Sequence, residues 1–167
     1  TLSLHDALPI YIDASATSIW NGGAGFNPIG SNANQFTGVF DGLGHSISSL
    51  TVNRPGTYYV GLFGYSSGTL RDVGLLNSSI SGQGLAGALV GRSDGTVEYD
   101  YAIGGSVTVA QHGAGGLVGQ SSGSIKNSYA TDSVAGLNSG VASTAIGGLV
   151  GSMLTGSTIS NSYATGS

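Results

Sequence analysis

The 167-residue chain contains no cysteine, few prolines, few charged side chains and no long apolar run. The absence of cysteine excludes a disulfide framework and a thiolate metal site. No run approaches the roughly 18 apolar residues of a membrane span, so we expect none in this segment. Charged residues make up 7% of the chain, against about 25% in an average globular protein. The four cations are dispersed, so we expect no nucleic-acid partner: Arg54, Arg71, Arg92 and Lys126.

Glycine, by contrast, is abundant. The chain has 31 glycines, and together with serine, threonine and asparagine they account for nearly half of it, while 40% of the residues are hydrophobic. Glycine at this density disfavours helices, since each one costs about 1 kcal/mol relative to alanine. A disordered chain would be charged or proline-rich and poor in aliphatic residues, and collagen would show a strict Gly-X-Y period. The composition therefore predicts an ordered all-β protein of short strands and tight turns.

The first ten residues, TLSLHDALPI, match at every position the in-frame translation of a common short-read sequencing adaptor. We therefore predict that residues 1–10 are not native protein, and we leave His5 and Asp6 out of the functional reasoning. The segment also lacks the basic region and small-residue cleavage site of a signal peptide. Because the chain stops at Ser167 inside a repeat, we expect both ends to be truncations.

The remaining chain is repetitive. Four Gly-Leu-Phe-Gly or Gly-x-Leu-Val-Gly elements end at Gly64, Gly91, Gly119 and Gly151, with spacings of 27, 28 and 32 residues. One rung of short strands cannot bury its apolar face alone, whereas rungs stacked about 4.8 Å apart bury it and pair every strand. A period near 28 therefore predicts a β-solenoid. The extra residues of the last interval, 132–146, are predicted to form an outward loop.

Stacked rungs place equivalent residues above one another. Like charges at one rung position would lie about 5 Å apart, which explains why charge is scarce. A helical repeat is excluded because no 3.6-residue period survives between the glycines. The predicted stacks are an inward one of Leu62, Leu89, Leu117 and Leu149, a second of Leu70, Val97, Ile125 and Ile159, and a partial third of Tyr101, Tyr129 and Tyr163.

Residues 11–60 are predicted to form N-terminal rungs of the same solenoid, and residues 61–167 four repeats. The pattern GGLVG followed by G[ST]I.NSYATG in the last two units resembles the GLUG repeat of large bacterial surface exoproteins, including the filamentous-haemagglutinin type. FTGVFDGLGHSISSLTV resembles the segment that usually precedes such repeats. The first two units depart from the pattern at Gly74, Ala88 and Tyr99.

The resemblance implies a right-handed parallel β-helix, for which we expect five or six rungs. It also implies a secreted or surface-anchored protein of a Gram-negative bacterium, in which this region serves as a stalk or adhesive shaft. We therefore predict a non-catalytic structural or adhesive segment at the cell surface. Its expected partners are host-cell or surface glycans or proteins, and no catalytic residue, cofactor or metal ion is expected.

Asp41 and His45 are the most enzyme-like residues, since a carboxylate and an imidazole could form the acid/base pair of a polysaccharide-active β-helix enzyme. The alternative is a turn that Asp41 caps and that the neighbouring glycines shape. Glycoside hydrolysis needs two carboxylates about 5–10 Å apart, and a lyase needs a cation beside its base. The sequence shows neither beside this pair, which favours the turn.

Asp94, Glu98 and Asp100, with Asp72 one rung below, could form a weak Ca²⁺ site, because hard cations bind several oxygens. The sequence has no GGxGxD calcium repeat, which favours a solvated acidic face instead. His112 is interpreted as a turn residue.

Two further hypotheses concern the surface. Tyr58, Tyr59, Tyr65 and the repeat tyrosines could stack on sugars, although packing in the core or at an edge is their default role. An ice- or surface-binding solenoid would need regular Thr-x-Thr ranks, and only two loose threonine pairs occur: Thr51 with Thr57, and Thr155 with Thr158.

Overall fold

A computed structural model of the chain describes residues 11–137 and 145–166. These residues form a parallel β-solenoid in which each turn crosses sheets IV, I, II and III in that order, and passes through sheet I twice. In the described part of the chain, no helix is long and apolar enough to cross a membrane.

The strands of each sheet are as follows. Sheet I contains Tyr11–Asp13, Val39–Ser48, Thr69–Leu76, Thr96–Glu98, Tyr101–Ile103, Ser124–Lys126, Tyr129–Ala130, Thr158–Ser160 and Tyr163–Ala164. Sheet II contains Thr51–Arg54, Ser79–Gly82, Ser106–Val109 and Ser133–Gly136. Sheet III contains Tyr59–Val60, Leu85–Gly87, Gly113–Gly115 and Ala145–Gly147, and sheet IV contains Phe63–Ser66, Val90–Ser93, Val118–Ser121 and Val150–Met153.

Sheet I bends at a corner that recurs in every turn. One residue there adopts a left-handed backbone, which L side chains disfavour and which asparagine tolerates best. Such a residue reverses the in–out alternation of the strand, so the side chains on its two sides do not follow a simple period of two. The corner residues are Leu43, Asp72, Tyr99, Asn127 and Asn161, with φ of 52°, 55°, 59°, 50° and 48°.

The two predicted aliphatic stacks are confirmed. Leu62, Leu89, Leu117 and Leu149 are all buried in one core cluster. In the second stack Leu70 pairs in register with Val97, Val97 with Ile125, and Ile125 with Ile159. Phe40 extends this stack by one rung at its start, because it pairs with Leu70.

The predicted tyrosine stack also forms, but on the outside of the solenoid. Alanines fill the inward positions of these strands, and Ala102 and Ala130 are fully buried. The rings of Tyr101 and Tyr129 lie 5.4 Å apart and those of Tyr129 and Tyr163 lie 5.1 Å apart, nearly parallel in both pairs. The row begins on Gly74, where a Cβ atom would lie 2.1 Å from the Tyr101 ring.

The solenoid has about four turns rather than the predicted five or six, since sheets II, III and IV are each four strands deep. The difference lies at the N-terminal end. Residues there form short 3₁₀ turns within Ser15–Gly23 and isolated bridges from Ile29 to Phe63 and from Phe36 to Ser66, which do not complete a rung.

The predicted outward loop at 132–146 is wrong at both its ends. Ser133–Gly136 and Ala145–Gly147 are strands of sheets II and III. They pair in register with the preceding turn, so the rung continues into the insertion from both sides. Residues 138–144, and the proposed adaptor at 1–10, lie outside the described residues.

Candidate functional site

The structure places Asp41 opposite a cation that we did not anticipate. Asp41 and Arg71 are register partners on adjacent strands of sheet I. The Arg71 Nε and one terminal NH₂ lie 2.9 and 2.7 Å from Asp41 Oδ2. Asp41 Oδ1 accepts a 2.9 Å hydrogen bond from the Leu43 amide, so the carboxylate caps the corner. The Leu43 amide, followed by Arg71, lowers the pKa of Asp41.

His45 lies on the other side of this corner and pairs in register with Val73. Asp41 and His45 line one groove of about 210 Å³, whose walls include Phe40 and Ile12. The structure therefore brings together the two residues that the enzyme hypothesis names, and adds Arg71 beside one of them.

The chemistry of this groove does not suit glycoside hydrolysis. An ionised, hydrogen-bonded carboxylate is a poor general acid, because a general acid needs a pKa near the working pH. Hydrolysis also takes two carboxylates, and the described residues that line the groove include a single one, Asp41.

A signal for Arg71 was present in the sequence. Phe40-Asp41 aligns with Leu70-Arg71 once the N-terminal strand is treated as a further rung. The alignment is hidden because three residues lie between Asp41 and His45, whereas only one lies between Arg71 and Val73, and the register shifts at that point.

The outward-facing positions of sheet I that Asp41 and Arg71 occupy form a row of alternating charge. Asp41 faces Arg71, Arg71 faces Glu98, and Glu98 faces Lys126. Asp41 raises the pKa of Arg71, with a smaller contribution from Glu98. Exposed ion pairs contribute about 0–1 kcal/mol each. An order of rungs that set Asp41 against Glu98, or Arg71 against Lys126, would bring like charges together, so the row favours the observed order of rungs.

The acidic residues predicted to form one face do not converge. Asp94 lies in the turn between sheets IV and I and accepts hydrogen bonds from Arg92, from the Tyr65 hydroxyl at 2.5 Å and from Ser122 at 2.6 Å. Glu98 belongs to the charged row on the outside of sheet I. Within residues 11–137 and 145–166, no three His, Cys, Asp or Glu side chains lie close enough to hold a metal ion.

The solvated-face prediction is wrong for Asp100, which is fully buried. Its Oδ1 accepts a 3.0 Å hydrogen bond from the Val73 amide, while Oδ2 has no hydrogen-bond partner among the residues that the structure describes. Burial raises the pKa of Asp100 to about 7. The equivalent residues of the next two turns are serines: Ser128 Oγ accepts from the Asp100 amide, and Ser162 Oγ from the Ser128 amide.

Comparison with known proteins supports a GLUG-repeat region. Residues 110–135 and 142–167 match the family model described as the GLUG motif. These segments carry the third and fourth repeats. The first two repeats, which depart from the pattern at Gly74, Ala88 and Tyr99, lie outside the matched segments.

Two curated proteins resemble part of the chain. One is halomucin of Haloquadratum walsbyi, 47% identical over 92 residues, which are 52% of this chain and 1% of halomucin. The other is a putative Gly-rich membrane protein of Evansella cellulosilytica, 39% identical over 82 residues, 46% of this chain and 10% of that protein. The chain therefore corresponds to a small part of each relative, and neither name refers to a haemagglutinin. No solved structure matches the chain.

Proposed function

We propose that this chain is a non-catalytic structural segment of a cell-surface protein, in which the solenoid acts as a stiff shaft that displays binding surface. The observation that carries the proposal is the continuous stacking itself. One core cluster runs from Leu50 to Leu149. Sheets II, III and IV are each a single ladder of parallel strands, and sheet I is two such ladders that meet on Thr69–Leu76.

The short axial advance of the solenoid for each residue also supports this proposal. A turn of about 28 residues advances the solenoid by only about 4.8 Å, whereas an extended chain advances about 3.3 Å for every residue. The fold therefore gives little reach for its length. It gives instead a stiff body with four outer faces, which suits display more than spacing.

The two relatives add support for the location. Their names refer to a mucin and to a membrane protein, which is consistent with a place at the cell surface. An adhesive role in a bacterial exoprotein remains part of the proposal and comes from the resemblance of the repeats.

The competing hypothesis, a polysaccharide-active enzyme, can be tested directly. The full chain is incubated with neutral and uronate-containing polysaccharides, and reducing ends and unsaturated uronates are measured. We expect no turnover above that of the heat-unfolded protein, because the lowered pKa of Asp41 makes it a poor general acid and a weak general base, even with Arg71 beside it.

Two variants sharpen that assay. Asp41→Asn and His45→Ala alter the groove, and Asp13→Asn changes an exposed carboxylate that does not line it, as a control. Turnover that is lost in Asp41→Asn and kept in Asp13→Asn would show that the chain is an enzyme and would overturn the proposal.

A further inference from the structure

A second groove, of about 350 Å³, lies on the side of the solenoid where sheets III and IV begin. One wall is the irregular segment that contains Asn27, Ser31 and Asn34. The opposite wall consists of Thr57, Tyr58 and Tyr59. The first wall lies outside the repeating strands, and of the second wall only Tyr59 belongs to a strand of sheet III, so this groove is not a by-product of stacking.

Backbone hydrogen bonds hold the first wall. The Ile29 amide donates to the Leu62 carbonyl, and the Gly64 amide donates to the Ile29 carbonyl, which docks the segment on sheet IV. Ser31 and Asn34 close a small loop: the Ser31 amide donates to the Asn34 carbonyl at 2.9 Å, and the Asn34 amide to Ser31 Oγ at 3.2 Å.

The second wall is tied to the next rung. The Gln83 amide donates to the Thr57 carbonyl at 2.9 Å, and the Leu85 amide donates to the Tyr58 carbonyl at 2.6 Å. Both walls are therefore fixed before any ligand arrives, and preorganisation of this kind lowers the entropic cost of binding.

The ring of Tyr58 is also held in place while it stays open to solvent. It lies over Gly84, where a Cβ atom would come within 2.7 Å of a ring carbon. Its centroid is 4.8 Å from that of Tyr59, edge-on, and 5.0 Å from that of His112. The residue nevertheless remains 39% exposed. Gly84 thus gives Tyr58 the room to form an aromatic platform beside the groove.

The polar groups of the groove are uncharged and available. Asn27 and Asn34 are exposed, and their side-chain amides make no hydrogen bond to any described residue. Each amide offers two N–H donors and a carbonyl acceptor. The described residues that line the groove include no charged side chain.

We propose that this groove binds a neutral carbohydrate. The C–H faces of a pyranose ring pack on an aromatic platform such as Tyr58, and its hydroxyls pair with amides such as those of Asn27 and Asn34. A lining without a cation gives no counter-charge for a uronate or sulfated sugar. The volume lies at the lower end of the range for small-ligand sites, about 300–1,000 Å³, which suits one or two sugar rings.

The inference rests on the proposed display function, because it names the class of ligand that the displayed surface would bind. The neutral probes are cellotriose, mannotriose and galactobiose. Trigalacturonate and a decaproline peptide represent an acidic sugar and a peptide ligand. Binding of each probe to the full chain is measured by NMR titration, and the same samples are analysed for cleavage of the probe.

We expect at least one neutral probe to bind at millimolar or lower concentration, to shift the Tyr58 and Asn34 signals, and to stay intact. Tyr58→Ala and Asn34→Ala should each weaken binding about tenfold or more, as loss of a central contact does. Tyr58→Phe should retain most of it. Tyr163→Ala removes a more open tyrosine, 57% exposed and far along the stack, and should change nothing.

The other outcomes overturn one proposal or the other. Absence of binding by all neutral probes, binding unchanged in both Tyr58→Ala and Asn34→Ala, or a preference for trigalacturonate or decaproline would overturn the carbohydrate groove alone. Cleavage of a bound probe would overturn the non-catalytic function. Because Asn34 lies in an exposed loop, its variant keeps the test decisive even if Tyr58→Ala does not fold.

Discussion

Substitution of Gly119 by alanine is expected to destabilise the solenoid by about 3 kcal/mol or more, at the upper end of what overpacking costs. A Cβ atom at this position would lie 2.5 Å from the Gly91 carbonyl oxygen and 2.6 Å from the Ala86 nitrogen. These neighbours are backbone atoms of paired strands and cannot move aside without breaking the ladder. The free energy of unfolding, from urea denaturation followed by circular dichroism, measures the effect.

Gly56→Ala is the matched control. Nothing lies within 4 Å of a Cβ atom at Gly56, and its backbone is not left-handed. We expect a change within about 0.5 kcal/mol there, as for ordinary surface sites. Equal stabilities of the two variants would contradict the close backbone packing at the Gly-Leu-Val-Gly elements.

Substitution of Asp100 by serine is expected to stabilise the protein at neutral and higher pH. Burial raises the pKa of Asp100 to about 7 in the folded protein, from the ordinary aspartate value of 3.8. The folded state therefore holds this proton more tightly than the unfolded state. The corresponding stability is fully present below about pH 3.8 and is lost as the pH rises towards 7.

The expected result is a difference between variant and wild type that grows over that pH range. Serine occupies the same position in the next two turns, where Ser128 and Ser162 accept the amide hydrogen bond of the preceding turn. A shift of about three pKa units corresponds to at most about 4 kcal/mol. The free energy of unfolding of Asp100→Ser at pH 8, from urea denaturation, should therefore exceed that of wild type by a few kcal/mol.

Asp100→Asn separates charge from shape, since it keeps the size of the side chain and removes its titration. Its free energy of unfolding should, like that of Asp100→Ser, lack the fall between about pH 3.8 and 7 that Asp100 causes in wild type. Asp132 is also buried with a raised pKa and stays in both variants, so the differences report Asp100 alone. Variants that follow the wild-type pH profile between pH 4 and 8 would show that Asp100 is not the titrating group.

The repeat period was sufficient to predict which residues stack. Leu62, Leu89 and Leu117 recur with the period, and their burial follows from it. The period did not determine which side each residue faces. Tyr99 adopts the left-handed corner conformation, with φ of 59°, and reverses the alternation. Asp100 therefore points inward, although its polarity and its place among acidic neighbours predicted a solvated face.

The candidate site was predictable in part. Asp41 and His45 were identified from residue type, and the structure places them on one groove. Arg71 was missed because the residues between Asp41 and His45 shift the register by two and hide the alignment. The carbohydrate groove depends on the way residues 27–34 dock beside Tyr58, and no spacing in the sequence indicates that contact.

The central claim is that each repeat forms one rung, stacked in parallel and in register on the next. A cysteine pair tests it most directly, because the chain has no cysteine of its own. Thr96 and Ser124 are register partners on adjacent rungs, with hydroxyl oxygens 3.4 Å apart. Strands about 4.8 Å apart fall within the Cα span that a disulfide bridges.

Thr96→Cys with Ser124→Cys is therefore expected to form a disulfide on mild oxidation and to lose both free thiols, as counted with a thiol reagent and by mass spectrometry. Thr69→Cys with Ser124→Cys is the matched control, since these positions lie two rungs apart, or about 9.6 Å. That pair should keep both thiols. Free thiols in the first pair, or a disulfide in the second, would contradict the stacking of one repeat per rung.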